Sequence, residues 1–221
     1  MAEKINKPKR FTKEWRSYIW EYYKGYFIAG IIVIILAAVT VSEIVNTVKP
    51  DLTLNFIATT VMPNAIAEEL EDEIDDGILD VNGDRETEVL VSQLNFTPDA
   101  LVDANMINAL ESRLMTMFAT EEDMLYIFDE TMLRDVLDLR ATEGMFVPTS
   151  EWLDTEISPD KSFEYGGGVY AVSLENSSFL REEEINGKGL YVAVRSNYNT
   201  DDEKINKIYK NCVLAANMLV R

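Results

Sequence analysis

Eighteen consecutive residues, Gly25 to Ser42, carry no charge, and this run limits the chain more than any other feature. Ile28 to Val41 dominate it, and Ile44 and Val45 continue the apolar character past Glu43. As a helix, a run of this length just spans the roughly 30 Å hydrocarbon core of a bilayer. The flanks agree with that reading. Trp15, Tyr18, Trp20, Tyr22, Tyr23 and Tyr26 gather on its N-terminal side, where an interfacial aromatic belt belongs. Residues 1–24 hold seven bases against three acids, a net of +4. Lysine and arginine stay on the cytoplasmic side, so the tail is expected inside and the C-terminal part outside. A cleaved signal peptide would have a shorter leader and a better cleavage site than Ala37-Ala38-Val39-Thr40. No cysteine directly follows the run to carry a lipid. The expected organisation is a basic tail over 1–24, an uncleaved transmembrane helix over 25–45, and one extracytoplasmic domain over 50–221.

That domain is acidic. Beyond residue 42 there are 13 bases and 36 acids, a net of −23. Such a surface repels phosphate backbones and anionic headgroups, which excludes nucleic acid as a partner. The chain has no histidine and one cysteine, so histidine triads, histidine metal sites and intramolecular disulfides are excluded by inventory. Cys212 falls in a helical pattern with Ile208, Tyr209 and Ala216 and reads as a small buried apolar residue.

Period and punctuation give the fold class. Leu52–Ala58, Glu88–Phe96 and Met124–Phe128 read as strands. Each is followed by a helical pattern: Ala65–Asp76 after Pro63, Pro98–Phe118 with Leu101, Ile107, Leu110, Leu114 and Met117 on one stripe, and Thr131–Leu139 after the cap residue Asp129. Strand then helix, three times over, predicts a mostly parallel sheet covered on both faces, a three-layer α/β domain. The later part changes character. Gly166-Gly167-Gly168 leads into a strand over Val169–Leu174 and reads as a flexible joint; Gly187–Arg195 gives another strand. Asp201–Leu219 closes the chain as a helix with acids at its first turn. A partly antiparallel C-terminal section is expected.

Two groups of residues are candidate sites. Asp80, Asn82, Asp84, Glu86 and Glu88 alternate oxygen-bearing side chains, as a loop for Ca²⁺ does. Arg85 stands where the calcium-hand loop needs glycine, and Val91 where it needs its bidentate acid. The competing reading is a hairpin turn at Asn82-Gly83 between Ile78–Val81 and Asp84–Val91. The second group follows from the sheet, because open α/β sheets bind ligands beyond the carboxyl ends of their strands. Thr59, Thr60, Asn95 and Asp129 fall there, with Trp152 as a candidate aromatic wall; as plain turn and cap residues they would serve equally well. Gly166-Gly167-Gly168 precedes a strand and lacks a lysine after it, so it is no phosphate loop. No nucleophile elbow or zinc motif occurs.

The stretch Met117–Pro148 carries Ala119-Thr120-Glu121-Glu122-Asp123, an apolar strand, Asp129-Glu130, a short helix and Gly144-Met145-Phe146-Val147-Pro148. It resembles the segment of extracellular solute-binding proteins that leaves a lobe beside its cleft. Gly189–Arg195 with the helix from Asp201 resembles their return strand and packing helix, and Asp80–Asp84 resembles an acidic turn in similar proteins. The layout is similar to membrane-anchored outer-surface proteins of Gram-positive bacteria that carry one such lobe. The resemblance implies a non-enzymatic interaction or accessory domain at the cell membrane, meeting a protein partner or associating with itself. Two alternatives stand beside it: a small-molecule binding component that completes its cleft with a second copy or a partner, and a surface hydrolase.

Overall fold

A computed structural model of the chain describes residues 12–46, 49–96, 104–139, 142–155, 161–182, 185–198 and 201–221. The expected start of the third helix at Pro98, including Leu101, lies outside them, as do residues 1–11 of the basic tail.

The chain divides into two units, residues 1–48 and 49–221. The first is built on helix α1 (Lys13–Asn46), whose 34 residues reach about 50 Å at 1.5 Å each. From Tyr23 to Val39 its apolar side chains lie open: Tyr26 is 77% exposed, Ile34 68% and Leu36 60%. Among the described residues no helix is long and apolar enough to cross a membrane. The unbroken run of described side chains on α1 ends at Val39, and Thr40–Ser42, the rest of the uncharged run, lie beyond it.

The second unit is an α/β/α sandwich. Strand β1 (Leu52–Ala58) is followed by α2 (Asn64–Asp75), β2 (Val89–Asn95), α3 (Ala104–Ala119), β3 (Leu125–Asp129) and α4 (Glu130–Asp138). Then come β4 (Ser162–Tyr165), β5 (Gly168–Ser173), a short helix α5 (Ser178–Glu182), β6 (Leu190–Val194) and the closing α6 (Glu203–Val220). The six strands lie in the order β2-β1-β3-β6-β5-β4. β1 pairs in parallel with both β2 and β3, while the β3–β6, β6–β5 and β5–β4 pairings are antiparallel. Four of the six strands therefore point one way, with β6 and β4 reversed. Apart from the start of the third helix, which lies outside the described residues, the expected strands and helices form within a few residues of their predicted ends.

Alternation along β1 feeds two cores. Leu52, Leu54, Phe56 and Ala58 join Leu70, Ile74, Ile208, Cys212, Ala216 and Trp152 in the layer of α2 and α6. Ile57 faces the other way, with Tyr126 and Phe128 of β3, and meets Leu114 and Phe118 of α3 and Leu133 and Val136 of α4. Tyr126 and Phe128 stack at 5.6 Å, and Phe146 meets both edge-on. Cys212 is fully buried, as its helical pattern predicts, and burial pushes its thiol far above the ordinary range. Among the described residues all six strands and both cores lie within 49–221, so this unit has a hydrophobic core of its own, as an independently folding domain does.

The glycine run is not a joint. Gly166 (φ 57°) and Gly167 (φ 90°) are the two central residues of a tight hairpin turn between β4 and β5. Both need positive φ, which the primed turns of hairpins require and glycine supplies without strain. β4, unforeseen because only four residues of mixed polarity form it, becomes visible once that turn is recognised.

Candidate functional site

The first three strands fix where a site can form. From β1 the chain crosses α2 on one face to reach β2 on one side of β1. From β2 it crosses α3 on the opposite face to reach β3 on the other side. Winding thus reverses at β1, and the two covering helices of the second face, α3 and α4, stand apart beyond its carboxyl end. Such a switch point is where open α/β sheets leave a crevice.

A groove of about 670 Å³ occupies that place. α3 lines it with Asn108, Glu111, Ser112 and Met115, spaced as one helix face, with Leu114 deeper. α4 supplies Thr131, Met132, Asp135 and Val136, and Leu139 follows it; Thr59 and Phe96 reach in from the ends of β1 and β2. Glu111 and Asp135 are its two charged residues among those described, and both are acids.

The residues expected at the strand ends fare unequally. Asp129 and Thr59 come together: the Thr59 amide and hydroxyl donate to Asp129 Oδ2 at 2.6 and 2.5 Å. Asp129 Oδ1 accepts from the Met132 amide at 2.8 Å, capping α4. The carboxylate thus spends both oxygens on tying β1 to the start of α4. Asn95, the last residue of β2, lies opposite Ala58 in the register, beside the groove rather than in it. Thr60 is exposed and does not line it. Trp152 is not an aromatic wall. It is 2% exposed and packs in the core of α2 and α6, on the face of the sheet opposite the groove. The short 3₁₀ turn Thr149–Glu151 after Pro148 carries it inward.

The acidic loop has a different architecture from either expected form. No hairpin forms at Asn82-Gly83, because Ile78–Val81 and Asp84–Glu88 are not strands and β2 starts only at Val89. The loop's own side chains compete for its backbone donors instead. Gly83 and Arg85 amides donate to Asp80, the Asp84 amide to Asn82, and the Glu86 amide to Asp84. Asp51, 1% exposed, anchors the loop from β1's start: its Oδ1 accepts from the Val81 and Asn82 amides at 2.7 and 3.0 Å, its Oδ2 from the Glu88 amide at 3.1 Å. Asn211 of α6 clamps the same loop, accepting from the Leu79 amide and donating to the Leu79 carbonyl. Among the described residues no group of three or more acids or cysteines is placed to hold a metal ion. The oxygens proposed for Ca²⁺ at Asp80, Asn82 and Asp84 are engaged by backbone N–H groups.

Among the described residues three carboxyls are raised above their ordinary range, all at the amino ends of the strands and none in the groove. Burial raises Glu88, and the charges of Asp51 and Asp75 add to it. Burial also raises Asp75, with Asp76 and Asp51 adding and a hydrogen bond from Thr87 opposing. Asp123 is raised by burial, against a hydrogen bond from Asn55 and the charge of the buried Arg195. Arg195 itself donates to the Thr120 and Asp123 carbonyls just past the end of α3, where a cation is favoured.

No family model, curated protein or solved structure matches the chain.

Glu88 and Asp75, each raised in part by Asp51, make a testable signature. A carboxyl whose pKa is raised on folding stabilises the fold below its unfolded value, and that contribution is lost as pH rises through the folded value. For Glu88 and Asp75 the window opens just above the ordinary carboxylate range. Thermal melts of residues 49–221 should therefore show Tm rising as pH falls from neutral toward that range. Glu88→Gln should raise Tm at neutral pH and flatten the profile. A Tm that falls monotonically from neutral pH downward, and a Gln variant no more stable, would remove this assignment.

Proposed function

We propose that the chain is a single-pass membrane protein whose acidic α/β domain works outside the membrane as a non-enzymatic interaction domain. It engages a partner through the groove between α3 and α4. The observation that carries the reading is the groove's chemistry. It lies at the switch point of the sheet, yet its lining is led by Phe96, Leu114, Met115, Met132, Val136 and Leu139. A polar solute would want convergent free donors and acceptors there. Asp129, the strongest polar group at that end, is already bound by Thr59 and Met132. An apolar contact surface suits a macromolecular partner, and exposed Ile107, one turn before Glu111 on the same side of α3, adjoins it.

The membrane span is argued from α1 itself. A helix apolar on every face, with Ile28, Ile31, Ile32, Ile34 and Ile35 more than half exposed, needs an apolar solvent. The basic, aromatic flank sets its direction. The solute-binding-lobe likeness finds support in β6, which returns antiparallel beside β3 with α6 packed behind it.

The test uses the full chain in its membrane. It should resist alkaline extraction, and protease added outside intact cells should digest residues 49–221 while sparing a tag at the N-terminus. A photo-crosslinking residue at Leu139 should give one discrete adduct that Met115→Lys abolishes, while the same probe at Leu90, exposed on edge strand β2, gives none. Release by alkali would defeat the anchor; equal labelling from Leu139 and Leu90 would defeat the groove.

A further inference from the structure

The groove's walls say more about its occupant than that it is apolar. Asn108, Glu111, Ser112 and Met115 form one face of α3, and Thr131, Met132, Asp135, Val136 and Leu139 one face along and just past α4. Two helices thus flank the trough, and among the described residues the strands reach it only at their ends, with Thr59 and Phe96, which suits an inserted helix rather than an added strand. The α3 wall runs from Asn108 to Met115, about 10 Å or two helical turns. Ile107, 43% exposed, directly precedes Asn108 and stands one turn before Glu111 on the same side of the helix. Met115 and Met132 bring side chains that adapt to different apolar shapes.

Charge then chooses the sign of the partner. Among the described lining residues both charges are negative, Glu111 and Asp135, and no lysine or arginine takes part. Glu111 stands on one wall and Asp135 on the other. The surrounding domain carries a net charge of −23 beyond residue 42, so an acidic or phosphorylated partner would be repelled at long range and unpaired at contact.

Resting on the interaction reading above, we propose that the groove docks a basic amphipathic helix of a partner protein. Its apolar side chains fill the space over Leu114, Met115, Met132 and Leu139. Its lysines or arginines face Glu111 and Asp135 from the rim.

The proposal is tested on residues 49–221 with three probes of about fourteen residues, titrated by calorimetry: an amphipathic Leu/Lys helix, a Leu/Glu helix of the same apolar pattern, and an all-lysine peptide. The Leu/Lys helix should bind at least tenfold more tightly than the other two. Met115→Lys, at a site already 38% exposed and so compatible with folding, should weaken it about tenfold. Glu111→Lys with Asp135→Lys should turn the preference toward Leu/Glu. The same charge change at Asp84 and Glu86, in the remote loop, should leave binding near the parent value. Thermal melts confirm that each variant is folded. If the remote change weakens binding as much as the groove change, or if the all-lysine peptide competes equally, the attraction is general and the proposal fails. If both amphipathic helices bind alike and Met115→Lys weakens both, the groove remains an interaction site but its partner is not basic. Failure of all three probes, or concentration-dependent dimerisation that Met115→Lys removes, also overturns the basic-helix assignment.

Discussion

Asp51→Ala is expected to destabilise residues 49–221 by about 2–4 kcal/mol, since each hydrogen bond to a charged group contributes roughly 1.5–3 kcal/mol and such losses do not add fully. The carboxylate is 1% exposed and accepts three amides, from Val81, Asn82 and Glu88. Alanine leaves those donors to find water in a loop that is otherwise held by its own short side chains and by the Asn211 clamp at Leu79. One term runs the other way. Removing Asp51 relieves the repulsion that helps to raise Glu88 and Asp75, so the cost should be partly offset at neutral pH and the acid profile flattened. Asp51→Asn separates the contributions. Its single oxygen can still serve Val81 and Asn82, but its amide would face the Glu88 N–H, so it should fall between parent and alanine. Denaturant melts at two pH values check this, with amide exchange at Val81, Asn82 and Glu88 as the local readout. Slow exchange at all three amides in the alanine variant would show that the loop is held by something else.

The loop also shows where sequence reasoning stops. Its alternating acids were visible, and a cation or a hairpin were the two local explanations for them. What decides their role is Asp51, thirty residues upstream at the entry to β1, and Asn211 on the last helix. Neither is near in sequence, and an aspartate after Lys49-Pro50 reads as a solvated turn residue. By contrast, β1 was readable to the residue, because Leu52, Leu54 and Phe56 alternate and Ile57-Ala58 close the run against two buried faces. Asp129 was readable as a cap because capping is a contact between neighbours, which Met132 completes. Its second task, holding Thr59 across the switch point, needed the fold.

The groove was half legible. Its end of the sheet follows from strand–helix order, and Thr59 and Asp129 were placed there correctly. The walls were not, because Asn108, Glu111, Ser112 and Met115 have the composition of an ordinary solvent face. Only the reversal of winding at β1 sets α3 and α4 apart and turns that face toward a gap. Leu114 and Met117 do pack inward as the stripe predicts, whereas Ile107 lies open. That exposure shows only in the fold, because in the sequence Ile107 sits on the same apolar stripe as Leu114 and Met117.

Trp152 yields the second large effect, and it separates the core from the site. Trp152→Ala is expected to cost about 3–5 kcal/mol, the usual range for emptying a buried aromatic position. The side chain fills the layer between β5 and α6, and Asn217 of α6 donates to its carbonyl at 2.8 Å. Trp152→Phe should cost far less, within about 1 kcal/mol of the parent. The indole Nε1 is buried with no hydrogen-bond partner among the described residues, and such an orphan donor costs the native state roughly 1–3 kcal/mol. Phenylalanine keeps most of the packing and removes that donor. A ligand-wall tryptophan would behave otherwise, with modest stability changes and a large loss of binding. Here the folded fraction of Trp152→Phe should bind the Leu/Lys helix with parent affinity, because the groove lies across the sheet from it. Should Trp152→Phe prove as damaging as Trp152→Ala, the indole N–H must be bonded; should it alone abolish peptide binding, the two faces of the sheet are coupled and the groove's independence is lost.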